Sequence, residues 1–329
     1  MKERLMEFLT CPDCGRPFAL AASKTDSDEI IEGTLSCQGC LREYRIKSGI
    51  PRILPDKLEG IKSKTAENFG YEWKNFKSLS KEYQKQFEEW ILPLKPAFFK
   101  GKTVLDAGCG KGRHVYYSSV FGASEVVGVD LSEAVCVAYE NTKGMENVHI
   151  IQADIYHLPL KKGFFDLAYS IGVIHHLPNP KGGFKSILAH VKPGGTMLAW
   201  MYGREGNTLL PVLNFIRANV TLKMPLKMVK AISYAGMVFI YPFTKFCGVL
   251  SSFRLTKGVA AHIPMNSFFC YLSGHPFREN ASILFDQLIA PIANYYTREE
   301  FESFFVENNL KDVRVRHRNQ NSWTGVGVR

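Results

Sequence analysis

A glycine-rich turn at residues 103–112 carries the clearest chemical signal in the chain. The segment reads Thr-Val-Leu-Asp-Ala-Gly-Cys-Gly-Lys-Gly, so an apolar run ends in an acid and then in three alternate glycines. This pattern predicts a buried strand that enters a turn where backbone approaches a ligand without an intervening Cβ. Asp130 follows Gly108 by 22 residues, at the end of a second strand-like run, where a carboxylate can bind both hydroxyls of a ribose. The sequence therefore predicts a cofactor that contains a nucleoside.

The order of the neighbouring motifs resembles one enzyme family. Residues 104–112 resemble motif I of the class I methyltransferases that use S-adenosylmethionine; a dinucleotide-binding turn would have its third glycine where Arg113 stands. Further segments follow in that family's order: the ribose-binding strand end at 128–132, the adenine-binding segment at 152–155, strand four at 165–170 and the turn into strand five at 191–195. The resemblance implies an S-adenosylmethionine-dependent methyltransferase.

The same resemblance implies a set of cofactor contacts. Asp106 would lie near the cofactor's ammonium group, and Ser170 would offer its backbone carbonyl to that group. The remaining implied contacts are the backbone of Gly108 and Gly110 with the methionine and ribose portions, Asp130 and Leu131 with the ribose, Asp154 with the adenine amino group, and Ile155 with the adenine ring.

Two adjacent histidines are the candidates for a catalytic base. His175 and His176 follow strand four, at the sheet edge where open α/β folds hold ligands, and imidazole titrates in a suitable range. The alternatives are that one histidine only hydrogen-bonds nearby backbone, that Tyr202, Tyr295 or Tyr296 accepts the proton, or that no base is used, because an in-line displacement from a sulfonium depends mainly on positioning.

Four cysteines near the N-terminus predict a metal site. Cys11 and Cys14 form one Cys-x-x-Cys pair, and Cys37 and Cys40 form a second after 22 intervening residues. Four thiolates can close a tetrahedron around Zn²⁺ and leave no open position, so we expect the zinc to be structural. Residues 44–55 resemble the small zinc-ribbon family that occurs as the activator subunit of tRNA and translation-factor methyltransferases. The fusion also resembles bacterial ribosomal RNA guanine methyltransferases, which carry histidine in the second pair.

Alternating strand and helix patterns over residues 101–203 predict an α/β fold. The family resemblance implies a Rossmann-like seven-stranded methyltransferase sheet with helices on both faces. We expect a zinc-ribbon domain at 1–55, a linker and N-terminal helix covering the cofactor site at 56–100, and a methyltransferase domain at 101–329. Within the last of these, a mostly helical insertion after strand five, at about 204–293, is too long for an ordinary loop and is expected to build the substrate pocket.

The aromatic residues of the linker have two interpretations. Tyr71 or Trp73 is a candidate lid over the cofactor, because the segment before motif I often folds across the cofactor in the family that this chain resembles. The alternative is that these side chains and the stripe at 83, 87, 90 and 91 pack a helix on the sheet. Beyond the insertion, a capping box at 297–300 predicts the start of a helix, and two strands are expected after it, at 312–318 and 322–328.

The charge of the insertion bears on the acceptor. The net charge is +10, and residues 206–278 contain eight Lys or Arg and no Asp or Glu. Two apolar stretches at 209–216 and 228–243 are flanked by lysines, which favours a small apolar, lipid-like or anionic acceptor with peripheral membrane contact through 206–278. The alternatives are a ribosomal or transfer RNA acceptor held by the zinc ribbon, and a non-catalytic cofactor-binding scaffold whose ribbon engages a protein partner.

Location is inferred from the composition. The N-terminal residues lack the apolar core of a signal peptide, and the apolar stretch between Lys230 and Lys245 is shorter than the ~18 residues of a membrane-spanning helix. Eight cysteines without a secretory signal argue against a disulfide framework. We therefore expect a cytoplasmic enzyme that can also contact a membrane surface.

Overall fold

The computed structural model describes residues 1–58 and 60–329. The strands are β1 Phe18–Asp26, β2 Glu29–Cys37, β3 Glu43–Lys47, β4 Ile50–Ile53, β5 Thr103–Ala107, β6 Glu125–Asp130, β7 Val148–Ala153, β8 Phe165–Ile171, β9 Val191–Tyr202, β10 Lys311–Arg318 and β11 Ser322–Val328. The helices are α1 Gly60–Asn75, α2 Glu82–Trp90, α3 Arg113–Val120, α4 Ala134–Asn141, α5 Pro180–Leu188, α6 Leu210–Asn219, α7 Leu226–Ser252, α8 Lys257–Ala260, α9 Asn266–Ser273, α10 Phe277–Ile289 and α11 Arg298–Val306.

The described strands form one mixed sheet in the order β1-β2-β3-β4-β7-β6-β5-β8-β9-β11-β10. From β7 to β10 this is the expected seven-stranded sheet, in which β5 to β9 run parallel and β11 is antiparallel to its neighbours. The register places Asp106 opposite Gly128 and Asp130 opposite Gln152. Because parallel strands end at the same edge, the acids of successive strands collect there.

The N-terminal ribbon is continuous with this sheet, which the sequence did not predict. β4 pairs in parallel with β7, with Arg52 opposite Gln152 and Ile53 opposite Ala153. Ile53 is buried in the same hydrophobic core as the central strands. The four ribbon strands therefore cover their apolar face against the methyltransferase sheet, and do not rely on a separate core. The domain boundary at residue 55 stays a prediction.

The linker helix α2 packs on the sheet with the face that its sequence pattern indicates. Tyr83, Phe87, Trp90 and Ile91 are all buried, and α2 lies against α3. Trp90 also stacks on Trp200 of β9, with 4.9 Å between ring centroids. The packing interpretation of this aromatic stripe is therefore confirmed, and the same stripe reaches the edge of the sheet where the site lies.

The insertion between β9 and α11 is helical, as expected. The longest helix, α7, packs one face against α9 and α10, and α10 in turn contacts α1 and α6. After the insertion, the Thr297 hydroxyl accepts from the Glu300 backbone N–H and the Glu300 carboxylate accepts from the Thr297 N–H, so the capping box begins α11 as predicted. β10 and β11 then form an antiparallel hairpin against β9.

Candidate active site and metal centre

A cavity lies over the carboxyl edge of β5, β6 and β7 and extends beneath the insertion. On the sheet side it is lined by Gly108, Gly110, Asp130, Leu131, Asp154 and Ile155. On the insertion side it is lined by Phe268, Tyr271, Glu279, Ser282, Asp286 and Gln287. The cofactor motifs and the insertion therefore share one enclosed space.

The turn after β5 has no room for a Cβ atom at Gly108 or Gly110. Gly108 has φ +93°, and a Cβ there would lie 2.4 Å from Val173 Cγ2. Gly110 has φ +52°, and a Cβ there would lie 3.0 Å from the ring nitrogen of Trp73. Trp73 thus lies over the turn and lines the cavity, whereas Tyr71 packs on α10. Of the two aromatic residues predicted as a lid over the cofactor, only Trp73 lies where it could cover the turn.

Asp130 is fixed at the end of β6 by three donors. Its Oδ2 accepts from the Gly110 N–H at 2.8 Å, and its Oδ1 accepts from the backbone N–H and the hydroxyl of Ser132 at 2.8 and 2.7 Å. Burial raises the pKa of Asp130, and these donors oppose that rise. The carboxylate and its neighbour Leu131 both line the cavity. This placement suits the predicted contact with a ribose.

Asp154 follows β7 and faces the same cavity. Its Oδ1 accepts from the Tyr156 backbone N–H at 3.0 Å, and its Oδ2 lies 3.2 Å from the Lys62 ammonium of α1. Ile155 is buried beside it. Sequence reasoning did not identify Lys62, because its position on the linker helix gives no local sign of a contact with β7. The ion pair ties α1 to the corner assigned to adenine.

Asp106 is wholly buried. Neither of its oxygens meets the geometry of a hydrogen bond with a described residue, because the Tyr169 hydroxyl beside it bonds with Ser118 at 2.9 Å, but that hydroxyl lies close enough to oppose a rise in the pKa of Asp106. Burial, together with the charge of Asp130, raises the pKa of Asp106 well above its ordinary value. A buried carboxyl that lacks well-formed hydrogen bonds is costly unless a ligand satisfies it, but Asp106 does not line the cavity, so its contact with a cationic ligand group stays a prediction.

Two predicted contacts lie behind the cavity wall. Asp106 and Ser170 are outside the part of the wall formed by the described residues, and Ile171 and Gly172 line it in their place. The Ser170 hydroxyl donates to the Ala107 carbonyl at 2.8 Å and so ties β8 to β5. The cradle at the turn and the carboxylate of Asp130 at the cavity fit S-adenosylmethionine, while the individual contacts, including those of Asp106 and Ser170, stay predictions.

The two histidines differ in their access to the cavity. His175 is fully buried, its ring lies 3.9 Å from the Tyr202 ring, and neither ring nitrogen bonds to any described residue. Burial lowers its pKa well below the ordinary value. His176 lines the cavity, and its Nδ1 lies 2.6 Å from the Ile292 carbonyl. Burial lowers the pKa of His176 to about 4, so this ring is neutral and its Nε2 is the better-placed acceptor of the two.

Sequence reasoning missed the acids of α10. The Asp286 carboxylate accepts from the Tyr202 hydroxyl at 3.0 Å, and burial raises the pKa of Asp286 to about 6. Glu72 of α1 accepts from the Ser282 hydroxyl at 3.0 Å, and burial raises its pKa well above the ordinary value. A carboxylate that titrates near neutrality in a cavity is suited to accept a proton. The acids of α10 had a signal in the sequence, because Glu279 and Asp286 are seven residues apart on one helical face and follow an acid-free stretch. That signal does not extend to Glu72, which lies on α1.

Two aromatic rings and two arginines form a further part of the cavity lining. Trp90 and Trp200 are stacked, and the guanidinium carbons of Arg113 and Arg318 lie 5.0 and 5.4 Å from the Trp90 ring centroid. All four side chains line the cavity. Stacked rings flanked by cations suit a planar or partly anionic acceptor.

The four predicted metal ligands come together in the ribbon. The sulfurs of Cys11, Cys14, Cys37 and Cys40 all lie within 4.8 Å of one another. A tetrahedral zinc with Zn–S bonds of about 2.3 Å requires sulfurs about 3.8 Å apart, which this cluster can meet. Although burial opposes it, backbone N–H groups of Cys40 and Gly39 help to lower the pKa of Cys37 to about 6. The cluster fits structural Zn²⁺, which agrees with the prediction.

Comparison with known proteins identifies both parts of the chain. Residues 105–199 match the family model described as a methyltransferase domain, and residues 2–49 match the model described as Trm112p-like protein. The chain therefore contains a methyltransferase domain preceded by a Trm112p-like domain, and the two resemblances drawn from its motifs are confirmed. The methyltransferase match ends before the insertion, so it covers the cofactor side of the cavity and leaves α9 and α10 outside.

Curated relatives match only part of the chain. A tRNA U34 carboxymethyltransferase of Pseudoalteromonas translucida is 36% identical over 126 residues, which are 36% of this chain and 38% of that protein. A sterol 24-C-methyltransferase of Pneumocystis carinii is 32% identical over 111 residues, 32% of this chain and 29% of that protein. The chain thus spans about 40% of the length of the first relatives it matches.

A solved complex between the Haloferax volcanii Trm112 methyltransferase activator and a putative methyltransferase is also similar to this chain. The identity is 14%, the match covers 83% of this chain and 99% of the other, and the TM-score is 0.44.

Proposed function

We propose that this protein transfers a methyl group from S-adenosylmethionine to an acceptor held under its helical insertion. The observation that carries the proposal is the shared cavity, in which the glycine turn, Asp130 and Asp154 face the acids and aromatics of the insertion. The methyltransferase-domain match at residues 105–199 supports it. A donor seated on the strand edge would thus meet an acceptor held against α9 and α10.

The residues of the chain have two tasks in this reaction. S-adenosylmethionine supplies a methyl group that is already activated by the positive sulfur. The glycine turn and the strand-end acids fix the donor, and alignment of two reactants in one cavity can contribute about 7–11 kcal/mol. Asp286, hydrogen-bonded to Tyr202, is placed to take a proton from the acceptor, and a positioned base contributes about 10²–10⁴-fold. His176 Nε2 is the second acceptor available at the wall.

The proposed acceptor is a tRNA nucleoside. Six of the curated relatives are tRNA U34 carboxymethyltransferases, which favours the RNA alternative over the small-molecule expectation. The cavity also suits an extruded base, because aromatic and guanidinium groups line it and Asp286 and Gln287 can bond a base edge. The net charge of +10 favours association with a polyanion.

A second candidate acceptor is a small lipid-like molecule. It is favoured by the exposed apolar side chains of α6 and α7, which are unusual for a surface that contacts phosphates. The sterol 24-C-methyltransferase match involves the cofactor part of the chain as well, so that part of the sequence is compatible with either acceptor.

Labelled methyl transfer into a cell extract tests the proposal. The protein and S-adenosylmethionine with a tritiated methyl group are incubated with the extract, which is then separated into RNA, lipid, protein and small-molecule fractions. Label in tRNA that is lost after ribonuclease treatment supports the first candidate, and label in lipid supports the second.

Two results would contradict methyl transfer in this assay. Binding of the donor without label in any fraction would support a scaffold, and failure to bind the donor would remove the basis of the proposal. Asp130→Ala serves as the donor-site control, and it should abolish label in every fraction because it removes the acceptor of the ribose hydroxyls.

A further inference from the structure

The insertion carries most of the exposed apolar surface of the protein. Of the nineteen large apolar side chains that are exposed among the described residues, fifteen lie between residues 209 and 259. On α7 they include Met228, Ile232, Phe239, Phe246 and Val249, at spacings of three, four or seven residues, and Phe253 follows directly after the helix. Such spacings place them along one side of the helix. We call this exposed side of α7, with Phe253 and Val259 beyond its end, the insertion face.

The insertion face is not the side of α7 that packs on the rest of the protein. The opposite side of α7 is already buried against α9 and α10 through Val229, Met237 and Cys247. α7 is therefore apolar on two sides, and only one of them has a partner within the described chain. By length and composition α7 could also cross a membrane, and 22% of its apolar window is buried. Because one side of α7 packs against α9 and α10, α7 is a surface helix whose other side is exposed.

The charges around the insertion face select its occupant. Residues 206–278 carry no acid, and exposed cations stand before and after the apolar row: Lys223 and Lys227 at its start, Arg254 and Lys257 at its end. The Lys245 ammonium instead donates to the Ser273 carbonyl of α9. A second copy of this surface would bring like charges together. RNA would satisfy the cations but would leave exposed phenyl rings against phosphates. An anionic bilayer accepts both, because apolar side chains enter the acyl boundary while Lys and Arg meet the headgroups.

We propose that the insertion face docks the protein on an anionic lipid bilayer, with α7 lying in the plane of the interface. The proposal does not depend on which acceptor is methylated, because it rests on the outside of the insertion and not on the cavity. α9 and α10 separate α7 from the cavity, so the docked protein holds the roof of its active site against the membrane.

Vesicle sedimentation with the full chain tests the docking. We expect binding to vesicles of phosphatidylcholine and phosphatidylglycerol in equal parts, weak binding to phosphatidylcholine alone, and weaker binding when salt rises from about 0.1 M to about 0.5 M. The triple variant Phe239→Gln, Phe246→Gln, Phe253→Gln should lower the partition coefficient at least about tenfold, since glutamine keeps helix propensity but removes the apolar contact. The matched control changes exposed apolar residues elsewhere, Leu41→Gln, Val120→Gln and Val306→Gln, and should bind like the wild type.

The cations are tested in the same assay. Lys227→Gln, Arg254→Gln and Lys257→Gln together should lower the partition coefficient on the order of 100-fold. Lys161→Gln, Lys162→Gln and Lys185→Gln remove three exposed cations outside the insertion and should change it less than about threefold. In a separate variant, Phe239→Trp, brominated lipids should quench the emission of the new indole if this side chain enters the acyl region.

Several results would overturn the proposal. These are absence of sedimentation with anionic vesicles while circular dichroism shows an intact fold, sedimentation that the phenylalanine variant does not reduce, and an indole at residue 239 that brominated lipids do not quench. A concentration-dependent dimer that the phenylalanine variant abolishes, or tRNA binding that it abolishes while vesicles do not bind, would assign the face to those partners instead.

Discussion

Replacing Asp286 by asparagine should stabilise the protein at pH 8 and remove most of its methyl transfer. Burial raises the pKa of Asp286 from 3.8 to about 6, so the folded state holds this proton more tightly than the unfolded chain does. The stability that comes from the protonated form is complete below pH 3.8, declines as the pH rises towards 6, and is lost above it. At pH 8 the folded protein therefore carries the whole cost of an enclosed charge.

The size of this cost follows from the pKa. The rise from 3.8 to about 6, at 1.36 kcal/mol for each pKa unit, corresponds to about 3 kcal/mol. Because Asp286 lines a cavity that admits water, the real cost is smaller, and we expect Asp286→Asn to raise the free energy of unfolding at pH 8 by about 1–3 kcal/mol. The gain should shrink as the pH falls from 8 to 5, because the wild-type carboxyl then takes up its proton.

Urea unfolding at both pH values measures the stability, and labelled methyl transfer measures the activity. We expect a loss of kcat/KM of about 10²–10⁴-fold for Asp286→Asn, and for the wild type a fall of about tenfold per pH unit below pH 6. Asp28→Asn, on an exposed turn, should leave both properties unchanged. Activity within threefold of the wild type would show that Asp286 is not the base, and a loss of stability at pH 8 would show that its charge is structural.

The remaining predictions concern the donor site and the metal. Gly108→Ala should lower S-adenosylmethionine affinity at least about 100-fold in calorimetry, because its Cβ would lie 2.4 Å from Val173; Gly144→Ala, where φ is also positive but no described atom lies within 4 Å of the new Cβ, should cost only about 1 kcal/mol of stability. Asp106→Asn should lower S-adenosylmethionine affinity about 10–100-fold yet spare 5′-methylthioadenosine, which lacks the ammonium group; equal losses for both ligands would contradict the assigned contact. Cys37→Ser should reduce bound zinc from one ion per chain and lower the melting temperature, whereas Cys136→Ser, outside the cluster, should change neither.

The parts of the fold that the sequence predicts well are those encoded locally. The capping box at Thr297 places the start of α11 within one residue, and the strand predicted at Ser322–Val328 has the same limits in the structure. The glycine turn is equally local, because the positive φ angles and the lack of space for a Cβ depend on a few neighbouring residues. Such features depend on residues that are close in the sequence, so the sequence pattern alone is enough to predict them.

The parts that could not be predicted depend on partners far away in the chain. Arg52 meets Gln152 only because the ribbon extends the sheet, and no pattern near residue 52 names that neighbour. The cavity role of Asp286 depends on which side of α10 faces the sheet, which is set by α1 and α7. His175 has the residue type and the position of a base in the sequence, but the packing of Tyr202 against its ring separates it from the cavity.

The pairing of β4 with β7 has a consequence for how the two domains work together. The last pair in that ladder, Ile53 with Ala153, lies immediately before Asp154, so the ribbon is the lateral support of the strand that leads to the predicted adenine contact. We expect that loosening the metal cluster would disturb this position through the main-chain hydrogen bonds between β4 and β7. A separate accessory subunit can be scarce or can dissociate. Here the ribbon belongs to the same chain, so every copy of the protein carries it.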